Sequence, residues 1–131
     1  MKKRGILNAQ LAGCIAGLGH KDLFMIGDAG MPIPEGVEVV DLVLTAGVPT
    51  FKQVMEAVLD ETYVEGYYLA HEIREFNPEL EDYIKDCLKE AEVEYMPHED
   101  LKRFSGKCRF AIRTGEFSPY PSVVLRAGVV Y

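Results

Sequence analysis

Histidine and aspartate side chains flank the predicted strands of this sequence, where loops could carry chemistry. His20 precedes a short apolar run, Asp28 follows the same run, and His98 stands where a short helix is predicted to begin. An imidazole titrates near neutral pH, so it can take a proton from one group and return it to another. The set favours general acid–base chemistry over covalent catalysis, because no nucleophile elbow or other anchor for a Ser-His-Asp arrangement is present.

Strand geometry separates the two groups that flank this apolar run. An extended chain from Asp22 to Asp28 spans about 20 Å at roughly 3.3 Å per residue. If His20 and Asp28 serve one site, they either come from different subunits or the loop at His20 folds back. The structural alternatives stay open: a solvated His20 near a helix C-terminus, and an Asp28 that caps a turn.

A polar loop at residues 113–122 holds Tyr120 between two prolines, which restrict its backbone. A tyrosine offers a flat apolar face to the C–H groups of a sugar and a hydroxyl to its oxygens. These loops hold no cluster of Arg and Lys at a helix N-terminus that would bind a phosphate. The alternatives are a packed surface turn at Tyr120 and a plain capping position at His98.

Metal and cofactor sites are not expected. The three cysteines are widely spaced and form no Cys-x-x-Cys pair, so buried, structural thiols are predicted. The three histidines, including His71, lack the ligand spacings of zinc sites. The glycines at residues 17 and 19 lack the third glycine of a dinucleotide fingerprint and precede their strand, and no Walker pattern occurs.

Length and composition predict a globular protein with one domain, residues 1–131. Apolar residues make up 48% of the chain and charged residues 27%, which excludes a disordered protein. The net charge of −7 argues against a nucleic-acid partner. No apolar run approaches the length of a membrane span, and no signal-peptide pattern is present, so a cytoplasmic location without a membrane partner is expected.

Apolar periodicity predicts α/β architecture. Helices are predicted at residues 9–18, 51–60 and 78–91. Asn8 begins the first, a Thr50–Gln53 capping box begins the second, and Asn77 followed by Pro78 begins the third. Strands are predicted at residues 23–26, 37–44, 66–70, 93–96, 109–113 and 122–131. This alternation predicts a three-layer α/β/α single domain with a largely parallel central sheet. Ligands of such sheets bind beyond the carboxyl ends of the strands, so the loops that follow strands are the places to search.

Several motifs together resemble the D-ribose pyranase and fucose mutarotase family. They are Leu18-Gly19-His20-x-Asp22, Asp28-Ala29-Gly30-Met31-Pro32-Ile33-Pro34 and Arg113-Thr114-Gly115-Glu116 with Pro119-Tyr120. Their order and spacing fit the family over the whole chain. The Arg-Thr-Gly-Glu loop and the chain length favour the ribose branch.

The resemblance implies a cytoplasmic enzyme that interconverts the cyclic forms of a free aldose without a cofactor. It implies that His20 is the catalytic acid/base and that Asp28, His98 and the segment Tyr120-Pro121-Ser122 bind the sugar. It also implies a homo-oligomer, a decamer of two stacked pentameric rings with the site between neighbouring subunits. That arrangement would bring together a histidine and an aspartate that one strand holds apart.

One departure from the family pattern affects sugar choice. Pro121-Ser122 replaces the usual Ala-Asn, and a serine hydroxyl does not offer the separate donor and acceptor of an amide. Free D-ribose, converted between β-pyranose and β-furanose, is the expected substrate. The alternatives are a fucose- or galactose-type mutarotase and a non-catalytic, sugar-binding regulatory subunit of a sugar uptake system.

Overall fold

A computed structural model describes residues 1–131 and builds them around one six-stranded sheet. The strands are β1 (Leu23–Gly27), β2 (Glu38–Asp41), β3 (Val64–Ala70), β4 (Glu92–Met96), β5 (Phe110–Arg113) and β6 (Val123–Ala127). Their order across the sheet is β2-β5-β1-β6-β3-β4. The pairs β1–β5, β2–β5 and β3–β4 are parallel, whereas β6 runs antiparallel to both of its neighbours. The predicted fold class is confirmed, with one antiparallel strand inside a mainly parallel sheet.

The helices are α1 (Ala9–Ala16), α2 (Phe51–Glu61), α3 (Ile73–Phe76), α4 (Pro78–Cys87) and α5 (His98–Phe104), and a 3-10 turn (Ser105–Lys107) follows α5. Two of the predicted caps form. The Asn8 carboxamide oxygen accepts a hydrogen bond from the Leu11 amide at 2.9 Å, and Thr50 and Gln53 make a reciprocal capping box. These bonds satisfy amides that have no partner inside a helix.

The sheet is covered on both faces, which makes three layers. Along β1, Phe24 and Ile26 join the larger core cluster, and Met25 joins the smaller cluster on the opposite face. The larger cluster contains buried residues of α1, α2 and α4, and the smaller contains Leu101 of α5. Each fully buried side chain of this size contributes roughly 1.5–3 kcal/mol, so burial on both faces holds β1 in place at the centre of the sheet. No helix of the protein has the length and apolar character that crossing a bilayer requires.

Some predicted boundaries were wrong. The helix predicted at residues 78–91 ends at Cys87, and the one predicted at 9–18 ends at Ala16, with Gly17 as its C-cap. The predicted strand at 37–44 is paired only over Glu38–Asp41, because β5 offers it four partners. The predicted strand at 122–131 stops at Ala127, where its pairing with β3 ends. Helix α3 was not predicted, since four residues are too few to show a periodicity.

Candidate functional site

A cavity of about 500 Å³ opens at the carboxyl ends of β1 and β5. Asp28 follows β1 and Arg113 ends β5, and both line the cavity. The loop after β5 supplies Glu116, Phe117 and Tyr120 to the same wall. This is the edge at which open α/β sheets bind ligands, and the volume lies within the usual range for small-molecule sites.

The Asp28 carboxylate is oriented by two hydrogen bonds. Oδ1 accepts from the Gly30 amide at 2.8 Å, and Oδ2 accepts from the Ser122 hydroxyl at 3.4 Å. Ser122 itself is only 1% exposed, and Pro121 is buried, so neither side chain lines the cavity. The structure therefore brings Ser122 to Asp28, while direct sugar contacts from Pro121 and Ser122 stay predictions.

Tyr120 and His98 meet beside this cavity. Their ring centroids lie 5.0 Å apart in an edge-to-face arrangement. The Tyr120 backbone has φ of 50°, a left-handed conformation that few non-glycine residues adopt. The amide of His98 donates to the Glu72 carboxylate at 2.8 Å, and its ring atom Nδ1 is buried without a hydrogen-bond partner in the chain. Buried polar atoms without partners are rare in proteins and often mark functional sites.

The two other charged groups of the cavity are already paired. Arg113 donates through Nη1 to Asp41 at 3.0 Å and through Nε to the Ala29 carbonyl at 3.0 Å. Partial burial acts to raise the pKa of Glu116, but hydrogen bonds from the Phe51 amide and from Ser118 outweigh it and hold that pKa below the ordinary value. Neither group is arranged to hold a phosphate, because the cation already has an anionic partner.

His20 lies at the opposite end of the sheet, just before β1 begins. Its Nε2 is 3.1 Å from a carboxylate oxygen of Glu65, and its side chain is 47% exposed. It lines a separate cavity of about 390 Å³ together with the last residues of the chain. Within one chain, the structure thus brings Asp28, His98 and Tyr120 together and leaves His20 at the opposite end of β1.

Glu65 and Arg126 form a polar network with His20 that sequence analysis missed. Arg126 Nε donates to Glu65 at 3.1 Å, and the same guanidinium reaches Tyr68 and Glu92. Burial opposes the ionised form of Glu65, but His20 and Arg126 hold the pKa of Glu65 below its ordinary value. The sequence signal for this network is Glu65 itself, a charged residue within the otherwise mostly apolar strand β3.

The remaining histidine does not belong to either cavity. His71 is exposed and stacks on Tyr95 with ring centroids 6.0 Å apart. No three His, Cys, Asp or Glu side chains lie close enough together to bind a metal ion.

Comparison with known proteins gives consistent matches over the full chain. The model of the RbsD / FucU transport protein family matches residues 1–130. A D-ribose pyranase of Limosilactobacillus fermentum is 47% identical and one of Streptomyces avermitilis is 48% identical, each over 100% of both chains. The structure of Bacillus subtilis RbsD complexed with D-ribose is 42% identical, covers 100% of both chains and superposes with a TM-score of 0.96. A fucose mutarotase of Streptococcus pneumoniae in complex with L-fucose shares the fold, with a TM-score of 0.74, 19% identity and 95% coverage of both chains.

Proposed function

The chain belongs to the RbsD / FucU transport protein family, and from this membership we propose that it is a D-ribose pyranase. Such an enzyme interconverts the β-pyranose and β-furanose forms of free D-ribose. The observation that carries the proposal is the full-length similarity to RbsD complexed with D-ribose, at 42% identity and a TM-score of 0.96. The D-ribose pyranases that match over 100% of both chains support the same activity.

The cavity after β1 and β5 is the proposed sugar site. Asp28 presents a carboxylate that its neighbours orient, and it can accept hydrogen bonds from sugar hydroxyls. The Tyr120 ring can pack against C–H groups of the sugar, and His98 lies beside it in an edge-to-face arrangement. Pro121 and Ser122 are buried behind the cavity wall, and Ser122 acts by donating a hydrogen bond that orients Asp28. Because Arg113 is engaged by Asp41, the site favours a neutral sugar over a phosphate ester.

The reaction requires a base and an acid. A base removes the proton of the anomeric hydroxyl, the bond from C1 to the ring oxygen breaks, and an acid protonates that oxygen. The open aldehyde then recloses through a different hydroxyl, which changes the ring size. No carbanion forms, and general acid–base catalysis worth about 10²–10⁴ corresponds to roughly 3–5 kcal/mol of barrier. We assign this proton transfer to His20, which Glu65 orients at 3.1 Å.

A composite site follows from the positions of these groups. His20 and Asp28 occupy opposite ends of β1, so a sugar that contacts both must lie between two chains. We therefore infer a homo-oligomer with shared sites, and we take its form, a decamer of two pentameric rings, from the family resemblance. Exposed apolar side chains support it, because Leu44, Val48 and Phe117 are 80%, 45% and 73% exposed around the cavity. At a ribose concentration well below the KM of Tyr120→Ala, where neither variant alone should turn over, mixing His20→Ala with Tyr120→Ala subunits should restore activity. A monomer in sedimentation would contradict the inference.

Saturation-transfer NMR of free ribose tests the activity, since it reports exchange between ring forms directly. We expect His20→Ala to lose at least about 100-fold in rate, the lower range of a general acid–base contribution, with the fold and assembly intact. His71→Ala is the matched control, because that histidine is exposed and lines neither cavity. Wild-type exchange rates in His20→Ala would refute the role of His20. A wild type that binds ribose without exchanging it would instead be a regulatory sugar-binding protein.

Sugar preference is tested with ribose, fucose, galactose and ribose 5-phosphate at equal concentration. We expect ribose to exchange fastest. The serine at position 122 should loosen discrimination among sugars, because it holds Asp28 through one hydroxyl at 3.4 Å, where an amide would offer a separate donor and acceptor. Faster exchange of fucose or galactose would assign the chain to the mutarotase branch, and preference for the phosphate ester would refute the site description.

We also propose that residues 1–131 act as one domain in the cytoplasm. The interleaved strand order supports a single domain, because strands from both halves of the chain alternate across the sheet. A cytoplasmic location suits an enzyme that acts on free sugar.

A further inference from the structure

Asn77 stands at the junction of α3 and α4, directly behind the loop that carries Tyr120. Its backbone N–H donates to the Ile73 carbonyl at 2.9 Å, and its carbonyl accepts from the Glu81 amide at 3.1 Å. The residue therefore ends one helix and begins the next. These two backbone hydrogen bonds fix the position of the Asn77 Cα atom, from which the side chain extends.

The side chain of Asn77 does not perform the role that its position predicts. Asparagine is among the best N-cap residues, and the sequence pattern predicts that role for Asn77. In the structure it makes no side-chain cap hydrogen bond. Its Nδ2 instead donates to the Ser118 hydroxyl at 3.0 Å and to the Pro119 carbonyl at 2.9 Å. The helix forgoes its cap, and the amide holds a loop 41 and 42 residues further along the chain.

The loop held in this way carries Tyr120 in a demanding conformation. The Pro119 carbonyl that Asn77 binds belongs to the peptide immediately before Tyr120, whose φ is 50°. A left-handed backbone at an aromatic residue persists only where neighbouring contacts enforce it. Phe76, the neighbour of Asn77, packs against the Tyr120 ring with centroids 5.4 Å apart. Two consecutive residues thus contact both the backbone and the ring of this segment.

The Tyr120 ring also meets His98, with centroids 5.0 Å apart. Glu72, at the N-terminal end of α3, accepts a hydrogen bond from the His98 amide. The short segment 72–77 therefore contacts both Tyr120, which lines the cavity, and His98, which lies beside it. A displacement of this segment would change the distance between Tyr120 and His98.

We propose that Asn77 is a positioning residue that sets the place of Tyr120 in the sugar site, an inference that rests on the proposed function. Asn77 does not line the cavity, so it acts through Pro119 and Tyr120. We expect the Tyr120 ring to contact C–H groups of the sugar, and such apolar contacts are about the same in the ground state and in the transition state. Losing its position therefore raises KM and leaves kcat nearly unchanged.

Two substitutions separate this role from helix capping. Asn77→Asp is nearly isosteric and caps a helix as well as asparagine does, but its carboxylate has no proton to donate to the Pro119 carbonyl. Asn77→Ser also caps a helix and adds no charge, but its side chain is too short to reach the Pro119 carbonyl in the way that the amide does. Glu79→Gln is the control, since Glu79 lies exposed in the first turn of the same helix. If Asn77 served only α4, both variants would behave like this control.

Ribose kinetics and a sugar-free spectrum provide the test. For both Asn77 variants we expect an apparent KM for ribose raised about tenfold, the effect of losing one to two hydrogen bonds, with kcat within about twofold. Histidine labelled with ¹³C at Cε1 gives three signals, one for each histidine of the chain. At pH 8, the His98 signal should move towards its position in Tyr120→Ala, because the tyrosine ring no longer lies against it.

The two readouts distinguish the failures. A His98 signal that stays in place in both variants, or a KM equal to that of Glu79→Gln, would overturn the positioning role. A wild type that does not exchange ribose would contradict the proposed function alone, because the histidine spectrum reports the loop without any sugar.

Discussion

Glu116 joins the site loop to the N-terminus of α2, and its replacement by glutamine is a direct test of that connection. One carboxylate oxygen accepts from the Phe51 amide at 2.9 Å, and the other accepts from the Ser118 amide at 3.3 Å. In Glu116→Gln the amide oxygen can keep one of these bonds, but the NH₂ group then faces the other N–H as a second donor. The negative charge near the positive end of the α2 dipole is also lost.

The magnitude follows from these contacts. A hydrogen bond to a charged group contributes about 1.5–3 kcal/mol, and glutamine loses one of the two. Because Glu116 is only partly buried and solvent screens its charge, the expected loss lies at the lower end, about 1–2 kcal/mol. For a domain of this size, that corresponds to a Tm lower by about 3–8 °C.

The pH dependence has a definite sign. The pKa of Glu116 lies below its ordinary value of 4.5 in the folded chain, because the hydrogen bonds outweigh the cost of burial. A carboxylate with a lowered pKa stabilises the folded state above the unfolded value, and this stabilisation disappears as the pH falls through the folded value. The difference in Tm between wild type and Glu116→Gln should therefore be full at pH 7 and should shrink below about pH 4.5.

Thermal unfolding at pH 7, 5 and 4, at one fixed protein concentration, measures this difference. Glu35→Gln is the matched control, since Glu35 is exposed, and its Tm should equal that of the wild type throughout. A Tm difference between wild type and Glu116→Gln that is the same at pH 7 and pH 4 would refute the assignment of the effect to the ionised carboxylate. An unchanged Tm at pH 7 would refute the connection itself.

Two further predictions concern thiols and metals. At pH 8, iodoacetamide should modify the exposed Cys87 well before Cys14 and Cys108, and peptide mass spectrometry can follow the three rates. The reason is that burial raises the pKa of Cys14 to about 11 and that of Cys108 to about 12. About one Cys14 in a thousand is then a thiolate, and equal rates at Cys14 and Cys87 would contradict this. Ribose exchange should survive EDTA, because ring opening needs no Lewis acid, and a loss that a divalent metal restores would contradict it.

Sequence patterns predicted the sheet and its covering helices because burial imposes a period on the residues. The apolar run at residues 23–26 is buried on both faces in β1, and the stripe that begins at Phe51 is the buried face of α2. The ends of these elements were less predictable, because they depend on partners that lie far away in the chain. The edge strand β2 is short since β5 supplies only four partners. Spatial neighbours of that kind leave no local pattern in the sequence.

The candidate site divides in the same way. Asp28 and Tyr120 were identified because they follow strands, and parallel strands bring their carboxyl ends to one edge. The partners that orient the proposed acid/base and the Tyr120 loop come instead from contacts across the fold. Glu65 is 45 residues from His20, and Asn77 is 42 residues from Pro119.

Asn77 shows why local sequence rules lead to errors at such positions. An asparagine followed by a proline is a strong helix-start signal, and the helix does start there. The signal does not say whether the side-chain oxygen will accept from helix amides or the NH₂ group will donate elsewhere, because the Pro119 carbonyl arrives only when the chain has folded. Here the Asn77 side chain binds Ser118 and Pro119 of a distant loop and does not cap its own helix. A residue that satisfies a local pattern but makes its hydrogen bonds elsewhere is therefore a good place to look for positioning roles in other chains of this fold.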